Sequence, residues 1–253
     1  MGAEPDVRRF NRSRPSTRFS LPVEGSTHLY LIRHGQTEAN VRHRLAGHTD
    51  VPLDELGEIQ ARQVGERMRA IALHNVISSP LQRALRTANE VALHHRLVPH
   101  EDHRLKEMHF GVAENLTLTE AAQLHPEIFT MVQDPGIADF AWPGGDRQSD
   151  FHSRVFRAFV DIAHRHRDSS LALVAHGGVI GSIVAQLDGG SPNDYETYQV
   201  ANCSVTHIEV TQHGSHLHLV NDITHLDVVR TEPFTYADPG TLITSSHAKD
   251  ETK

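Results

Sequence analysis

Two short apolar runs, separated by more than half of the chain, each end at a histidine. The first covers residues 28–32 and leads into Arg33 and His34, and the second covers residues 171–175 and leads into His176. A continuous apolar run of this length is typical of a strand buried in a parallel sheet. Because ligands bind beyond the carboxyl ends of such strands, we expect both histidines at one ligand-binding edge. For each run taken alone, an ordinary strand end with a surface charge is the alternative.

The pattern between these runs alternates strands with helices and predicts an α/β fold. Apolar residues at helical spacing, among them Ile59 and Val64, follow Asp54, and Pro80 stands where a helix capped by Ser79 would begin. The expected architecture is a three-layer α/β/α sandwich whose central sheet is mostly parallel, with an antiparallel edge formed by a hairpin. We predict strands at 28–32, 75–77, 171–175, 203–210 and 216–221, and helices beginning near residues 54, 80, 148 and 178.

The two ends of the chain lack apolar periodicity. We expect residues 1–26 to form a flexible, arginine-containing arm and residues 229–253 a flexible tail. Residues 27–228 are then one catalytic domain, a size that buries a substantial core. The chain has a single cysteine, no apolar stretch of the roughly 20 residues that a membrane helix needs, and no secretory signal. We therefore expect a cytoplasmic protein without membrane association.

The charge balance and the histidine content bear on possible partners. A formal net charge of −8 disfavours broad nucleic-acid binding but leaves room for a local basic pocket that holds a small anion. The 21 histidines invite a metal hypothesis, yet their pairs lack Cys, Asp or Glu partners at zinc-ligand spacing. We expect no metal and no cofactor. Assembly as a homodimer is left open by the sequence.

Five ordered motifs resemble those of the histidine phosphatase superfamily, the phosphoglycerate-mutase-like proteins. The resemblance covers about residues 27–228. It implies the sandwich fold, a phosphohistidine intermediate and a small phosphorylated metabolite as substrate. The motifs are residues 33–37 with Asn40, residues 47–53, residues 78–84, Glu107 before Phe110-Gly111, and residues 175–178.

The residue types in these motifs suit the transfer of a doubly anionic phosphoryl group. Arg33 and Arg83 offer forked donors that bind phosphate bidentately and stay charged. Arg83 falls in the first turn of a helix, where the dipole also favours an anion, although an exposed helix arginine is the alternative. His34 is the expected nucleophile, kept neutral by the nearby arginines. Further phosphate contacts are expected from His176, Asn40 and Gly177, and the resemblance adds Thr37 and Gly47 as substrate-binding residues.

The leaving alcohol needs a proton, and Glu107 is the candidate donor. The same carboxylate would then act as base for the water that hydrolyses the phosphoenzyme. From the residues alone, His109 and Asp102 are alternatives, as is a solvated loop carboxylate at position 107. The resemblance favours Glu107 as the acid.

The resemblance implies that residues 112–145 form a lid over the substrate. The stretch 112–142 has no Lys or Arg but five acidic residues, so it is poorly suited to clamp a second anionic group. This favours a metal-independent phosphomonoesterase over a bisphosphate-dependent phosphoglycerate mutase, with a non-catalytic phosphate- or partner-binding protein as a further alternative. Three arginines, Arg42, Arg44 and Arg147, remain as candidate distal cations. The sequence Ala113-Glu114-Asn115 replaces the Trp-Glu-Gly usual in the family's phosphatases, so the chain departs from the family's pattern at the start of this segment.

Overall fold

The computed structural model describes residues 19–21, 24–133 and 139–226. The strands are β1 (Ser26–Arg33), β2 (Asn75–Ser78), β3 (His100–Glu101), β4 (Ser170–Ala175), β5 (Val205–Thr211) and β6 (Gly214–Asp222). The α-helices are α1 (Glu38–Val41), α2 (Glu55–Met68), α3 (Gln82–Leu93), α4 (Leu118–Leu124), α5 (Pro126–Gln133), α6 (Gln148–Arg165) and α7 (Gly177–Asp188). Short 3₁₀ segments lie at His103–Leu105, Gly111–Ala113 and Pro192–Tyr198.

The six strands form one sheet in the order β3-β2-β4-β1-β5-β6. Strands β3, β2, β4 and β1 run parallel, whereas β5 pairs antiparallel with β1 and with β6. The predicted mostly parallel sheet with an antiparallel edge is therefore confirmed. The register aligns Arg33 with Ala175, so β1 and β4 end side by side.

Two hydrophobic cores, one on each face of the sheet, make the three layers. Leu31 and Leu173 point to the core that contains α6 and α7, including Phe151 and Ile183. Alternate strand residues such as Ile32 face the second core, which α2 and α3 cover. Side chains alternate along a strand, so a strand whose residues are apolar on both faces must be covered on both. Five of the six residues of β4 are buried, as expected of such a strand.

Helix α2 buries Val64 and Met68, as its apolar spacing predicts, but leaves Ile59 exposed. Ile59 is 41% exposed, whereas Gly57, Ala61 and Val64 are buried. A Cβ at position 57 would lie 2.0 Å from the carbonyl oxygen of Gln36, so only glycine allows this close approach of helix and loop. The close backbone contact at Gly57 therefore contributes to the orientation of α2 together with the buried apolar residues.

Helix α3 begins two residues later than predicted. Ser79 does accept a hydrogen bond from the N–H of Leu81 (3.4 Å), but the helix starts at Gln82. The Gln82 N–H donates to the carboxylate of Asp50 (2.7 Å), so a distant loop satisfies a donor that the helix itself leaves open.

The end of the predicted N-terminal arm packs against the domain. Phe19 is 7% exposed and lies edge-on to Phe159, with ring centroids 5.7 Å apart. The N–H of Leu21 donates to the Thr211 carbonyl at 2.8 Å, and Ser26 already belongs to β1. The expectation of a separate arm is thus wrong for these residues; residues 1–18 and the tail 229–253 lie outside the described ranges.

Two helices, α4 and α5, lie within the predicted lid, residues 112–145. An isolated antiparallel bridge joins Thr117 to Arg44, and the Leu45 N–H donates to the Leu116 carbonyl at 2.9 Å. These bonds hold the start of the predicted lid against the segment that follows α1. No helix within the described ranges is long and apolar enough to cross a membrane.

Candidate active site

The ends of β1 and β4 bring two histidines together. The backbone N–H of His34 donates to the carbonyl of Ala175 at 3.0 Å, which continues the parallel pairing by one residue. The imidazole of His34 then lies beside that of His176, with ring centroids 5.1 Å apart. Both side chains are buried, with His34 4% and His176 0% exposed. The predicted juxtaposition of the two strand ends is present in the structure.

A hydrogen bond sets the tautomer of His34. Its Nδ1 lies 2.7 Å from the carbonyl oxygen of Gly35, which can only accept, so Nδ1 carries the proton. Nε2 is left with a free lone pair. Burial, together with the guanidinium groups of Arg83 and Arg33, holds the pKa of His34 well below its usual range. The imidazole is therefore neutral near pH 7.

Arg83 is a buried cation held by backbone oxygens. It is the second residue of α3 and is 1% exposed, and its two terminal nitrogens donate to the carbonyls of Thr49 (2.9 Å) and Gly47 (2.8 Å). Burial lowers the pKa of Arg83 to about 10, against the attraction of Glu107, so the guanidinium remains charged at neutral pH. The alternative of an exposed helix arginine is wrong.

Arg33 supplies a second cation from the last position of β1. Its Nη1 donates to the carbonyl of Val200 at 2.6 Å. A Cβ at position 177 would lie 3.6 Å from the Arg33 Cζ, so the guanidinium runs along the first residue of α7. The backbone of this helix N-terminus and the cation face the same cavity.

The carboxylate of Glu107 is fixed by two backbone donors. The N–H of Met108 donates to Oε1 (2.9 Å) and the N–H of Gly178 to Oε2 (3.0 Å). A Cβ at position 178 would lie 2.5 Å from Oε1, so glycine is required for the carboxylate to sit at the start of α7. The carbonyl of Glu107 accepts from His48 (2.9 Å) and Arg154 (3.2 Å), which anchors its backbone.

Thr37 and Asn40 form the capping box of α1. Asn40 Oδ1 accepts from the Thr37 N–H (3.1 Å) and from the amide of Asn202 (3.3 Å). With its oxygen engaged in this way, the Asn40 amide nitrogen is the donor left for a ligand.

His176 stands behind the other site residues. Its Nε2 lies 2.8 Å from the Ser79 hydroxyl, whereas Nδ1 is buried and has no hydrogen-bond partner among the described residues. Burial and the nearby Arg83 lower the pKa of His176 well below its usual range. A buried nitrogen without a partner is costly unless a ligand satisfies it.

One cavity of about 80 Å³ collects eight of the nine predicted site residues, all except His176. The cavity is lined by Arg33, His34, Thr37, Asn40, Arg44, Leu45, Ala46, Gly47, Arg83, Glu107, Phe110, Gly177, Gly178, Gln199 and Val200.

Two of the wall residues, Gln199 and Val200, carry no signal in the sequence. They follow a 3₁₀ segment and precede β5, where no motif or periodicity marks them. They are recognised only in the folded protein, where this loop passes the end of β1. There the Val200 carbonyl accepts a hydrogen bond from Arg33.

Most acidic side chains of the predicted lid form hydrogen bonds or ion pairs with other residues of the protein. Glu114 turns inward, accepting from the N–H of His48 (2.7 Å) and the hydroxyl of Thr49 (2.7 Å), and so ties down the loop whose carbonyls hold Arg83. Asp139 bonds Arg147 and Glu120 bonds Arg44. Asp134 lies outside the described residues.

The distal arginines are likewise engaged. Arg42 pairs with Glu38 on the surface (2.6 Å), and Arg147 pairs with Asp139 (3.3 Å). Of the three, only Arg44 lines the cavity. In the described part of the chain, no group of three or more His, Cys, Asp or Glu side chains is arranged to hold a metal ion.

A sequence model of the histidine phosphatase superfamily (branch 1) matches residues 29–223. The chain belongs to the histidine phosphatase superfamily. Among curated relatives of this histidine phosphatase, a Salmonella choleraesuis protein named "probable phosphoglycerate mutase GpmB" is 31% identical over 204 residues, 79% of this chain and 94% of the relative.

Solved structures of the superfamily share the fold. The histidine phosphatase domain is similar to YhfR from Bacillus stearothermophilus, with 32% identity and a TM-score of 0.73 over 79% of this chain and 100% of that one. It is also similar to an alpha-ribazole phosphatase from Shigella flexneri, with 27% identity and a TM-score of 0.71 over 81% of this chain and 100% of that one. Membership and fold therefore agree with the motifs.

Proposed function

We propose that this histidine phosphatase is a metal-independent phosphomonoesterase that acts on a small phosphorylated metabolite. The observation that carries the proposal is the state of His34, a neutral imidazole whose Nδ1 proton is held by Gly35 and whose Nε2 is the atom available to the cavity. A neutral imidazole between two cations is suited to attack an anionic phosphorus centre.

In the first step, Nε2 of His34 forms a bond to phosphorus as the ester P–O bond breaks. Glu107 gives its proton to the departing alcohol oxygen. Arg33, Arg83 and the N–H of Gly177 neutralise charge on the nonbridging oxygens, where it redistributes during transfer. Asn40, Thr37 and Gly47 complete the proposed phosphate contacts of the cavity wall, and Nδ1 of His176, which lies behind that wall, is proposed as a further donor.

In the second step, water attacks the phosphohistidine. The Glu107 carboxylate takes a proton from the water as the new P–O bond forms, and the P–N bond breaks to return neutral His34. Inorganic phosphate is released and the starting protein is regenerated, with Glu107 protonated for the next cycle.

A phosphoglycerate mutase is the second candidate, favoured by the name of the Salmonella relative. A mutase must hold a phosphoglycerate carboxylate and pass the phosphoryl group to a sugar-acid hydroxyl instead of water. The lid stretch 112–142 offers no Lys or Arg for this. The lid composition therefore supports hydrolysis.

The test is to trap the phosphoenzyme with a radiolabelled phosphomonoester. We expect acid-labile, base-stable label and release of inorganic phosphate, both lost in His34→Ala and retained in His213→Ala, a change at an exposed turn residue. Label passed mainly to added glycerate would instead support the mutase. A protein with neither label nor turnover across a broad substrate panel would be a non-catalytic binding protein, and the proposal would be wrong.

Glu107→Gln tests the acid. Without a proton donor, turnover should fall most for poor leaving groups such as alkyl phosphates and least for p-nitrophenyl phosphate. Glu101→Gln, an exposed position on β3, is the matched control. Equal losses on both substrates would remove Glu107 from this role. Chelators should leave the activity unchanged.

A further inference from the structure

The outer wall of the cavity contains a cation that the protein neutralises itself. Arg44 lines the cavity, and its two terminal nitrogens bind the two carboxylate oxygens of Glu120 at 2.8 and 3.1 Å. Nη1 also contacts the Asn115 carbonyl. The pair spans the gap between the segment after α1 and the lid helix α4.

Glu120 is held on both sides, so the pair is a built feature of the lid. Its Oε2 accepts from the Thr117 N–H (2.8 Å) as the partner residue in the capping box of α4. The bridge between Arg44 and Thr117 fixes the guanidinium next to the same turn. A substrate carboxylate would have to displace a carboxylate that is already positioned bidentately.

A second wall residue favours the same kind of substrate. Gln199 lines the cavity, and its Oε1 is buried without a hydrogen-bond partner among the described residues. A carbonyl oxygen accepts a hydrogen bond from a hydroxyl group but repels a carboxylate.

We propose that Glu120 is a specificity-determining residue, which occupies Arg44 and thereby makes the cavity select uncharged, hydroxyl-bearing leaving groups over carboxylate-bearing ones. This inference rests on the proposed phosphomonoesterase function. Removing the charge of Glu120 exposes Arg44 to the ligand and should open the site to anionic leaving groups.

The experiment compares glycerol 3-phosphate with 3-phosphoglycerate, which differ only by a hydroxymethyl group in place of a carboxylate. Glu120→Gln keeps an oxygen for the helix cap but loses the charge. Glu127→Gln on α5 removes an equal charge from an exposed side chain outside the cavity and serves as the control.

We expect the wild type to prefer glycerol 3-phosphate. In Glu120→Gln, the ratio of kcat/KM values should shift towards 3-phosphoglycerate by about tenfold, a difference of about 1.4 kcal/mol, and mainly through KM. Glu127→Gln should keep the wild-type ratio. Glu120→Ala, which gives up the cap as well, should shift the ratio in the same direction.

An unchanged ratio in both active Glu120 variants would overturn the inference, as would an equal shift in Glu127→Gln. Absence of phosphate release from the wild-type protein would instead be a failure of the proposed function. In that event, calorimetry measures the affinities of the same proteins for glycerol 3-phosphate and 3-phosphoglycerate. The ratio of the two affinities should then shift towards 3-phosphoglycerate in the Glu120 variants.

Discussion

The N–H of Gly178 donates to Oε2 of Glu107 at 3.0 Å, so the first turn of α7 holds the proposed acid in place. Gly178 has no space for a side chain beside this carboxylate, so a shift of α7 would also move the carboxylate of Glu107. The backbone thus fixes a group whose chemical role depends on its reach to the leaving oxygen.

Gly178→Ala is expected to displace Glu107. A Cβ at that position would lie 2.5 Å from Oε1, whereas at position 177 it would make an ordinary 3.6 Å contact with Arg33. We expect kcat on alkyl phosphates to fall by more than about tenfold, within the range that general acid catalysis contributes. Gly177→Ala should cost less. Steady-state kinetics on alkyl and p-nitrophenyl phosphates measure this, and equal losses in the two variants would contradict it.

The buried histidines should make stability depend on pH. In the folded protein, the pKa values of His34 and His176 lie well below their usual range, chiefly through burial. Below about pH 6.5 the unfolded chain therefore binds protons that the native state does not, and the free energy of unfolding falls as the pH falls. Above that pH the contribution is fully present.

Each of these histidines should lower the free energy of unfolding by on the order of 1 kcal/mol between pH 7.5 and 5.5. Urea unfolding at the two pH values should show His34→Gln and His176→Gln each losing that much less stability than the wild type. His213→Gln, at an exposed turn position, should follow the wild type. Identical pH dependence in all four proteins would refute the assignment of the shift to these two groups.

Glu114 should matter for phosphate affinity although it lies outside the proposed catalytic set. It accepts from His48, Thr49 and Phe110, and thereby fixes the loop 47–49 whose carbonyls bind Arg83. We expect Glu114→Ala to weaken inhibition by inorganic phosphate by about tenfold, since a hydrogen bond to a charged group contributes roughly 1.5–3 kcal/mol.

Phosphate inhibition constants, with thermal unfolding to verify the fold, measure this effect. Glu127→Ala is the control on the same lid. A folded Glu114→Ala protein with wild-type phosphate affinity would show that the loop keeps its position without the carboxylate.

The sequence predicts the centre of the site because that centre lies on regular elements. His34 and His176 follow two apolar strands that must be buried, and parallel strands end at a common edge. Arg83 follows from the proline and serine signals of a helix start, even though the helix begins at Gln82.

The periphery depends on contacts that no local pattern encodes. Glu114 reads as one more lid charge in the sequence, but folding turns its carboxylate onto a loop more than sixty residues earlier. Gln199 reaches the cavity only because the sheet carries its loop past β1. On α2, the close approach at Gly57 accompanies the exposure of Ile59, a detail that the spacing of apolar residues does not encode.

The alignment of Arg33 with Ala175 also makes the chemistry a product of long-range pairing. The residues on β1 and β4 come from segments about 140 positions apart, so neither half of the chain holds the complete nucleophile pocket. Such distant contacts form slowly in folding. After dilution from denaturant, recovery of phosphate release should therefore lag behind recovery of the circular dichroism signal of the helices. The rate at which enzyme turnover returns would then report how fast β1 and β4 pair.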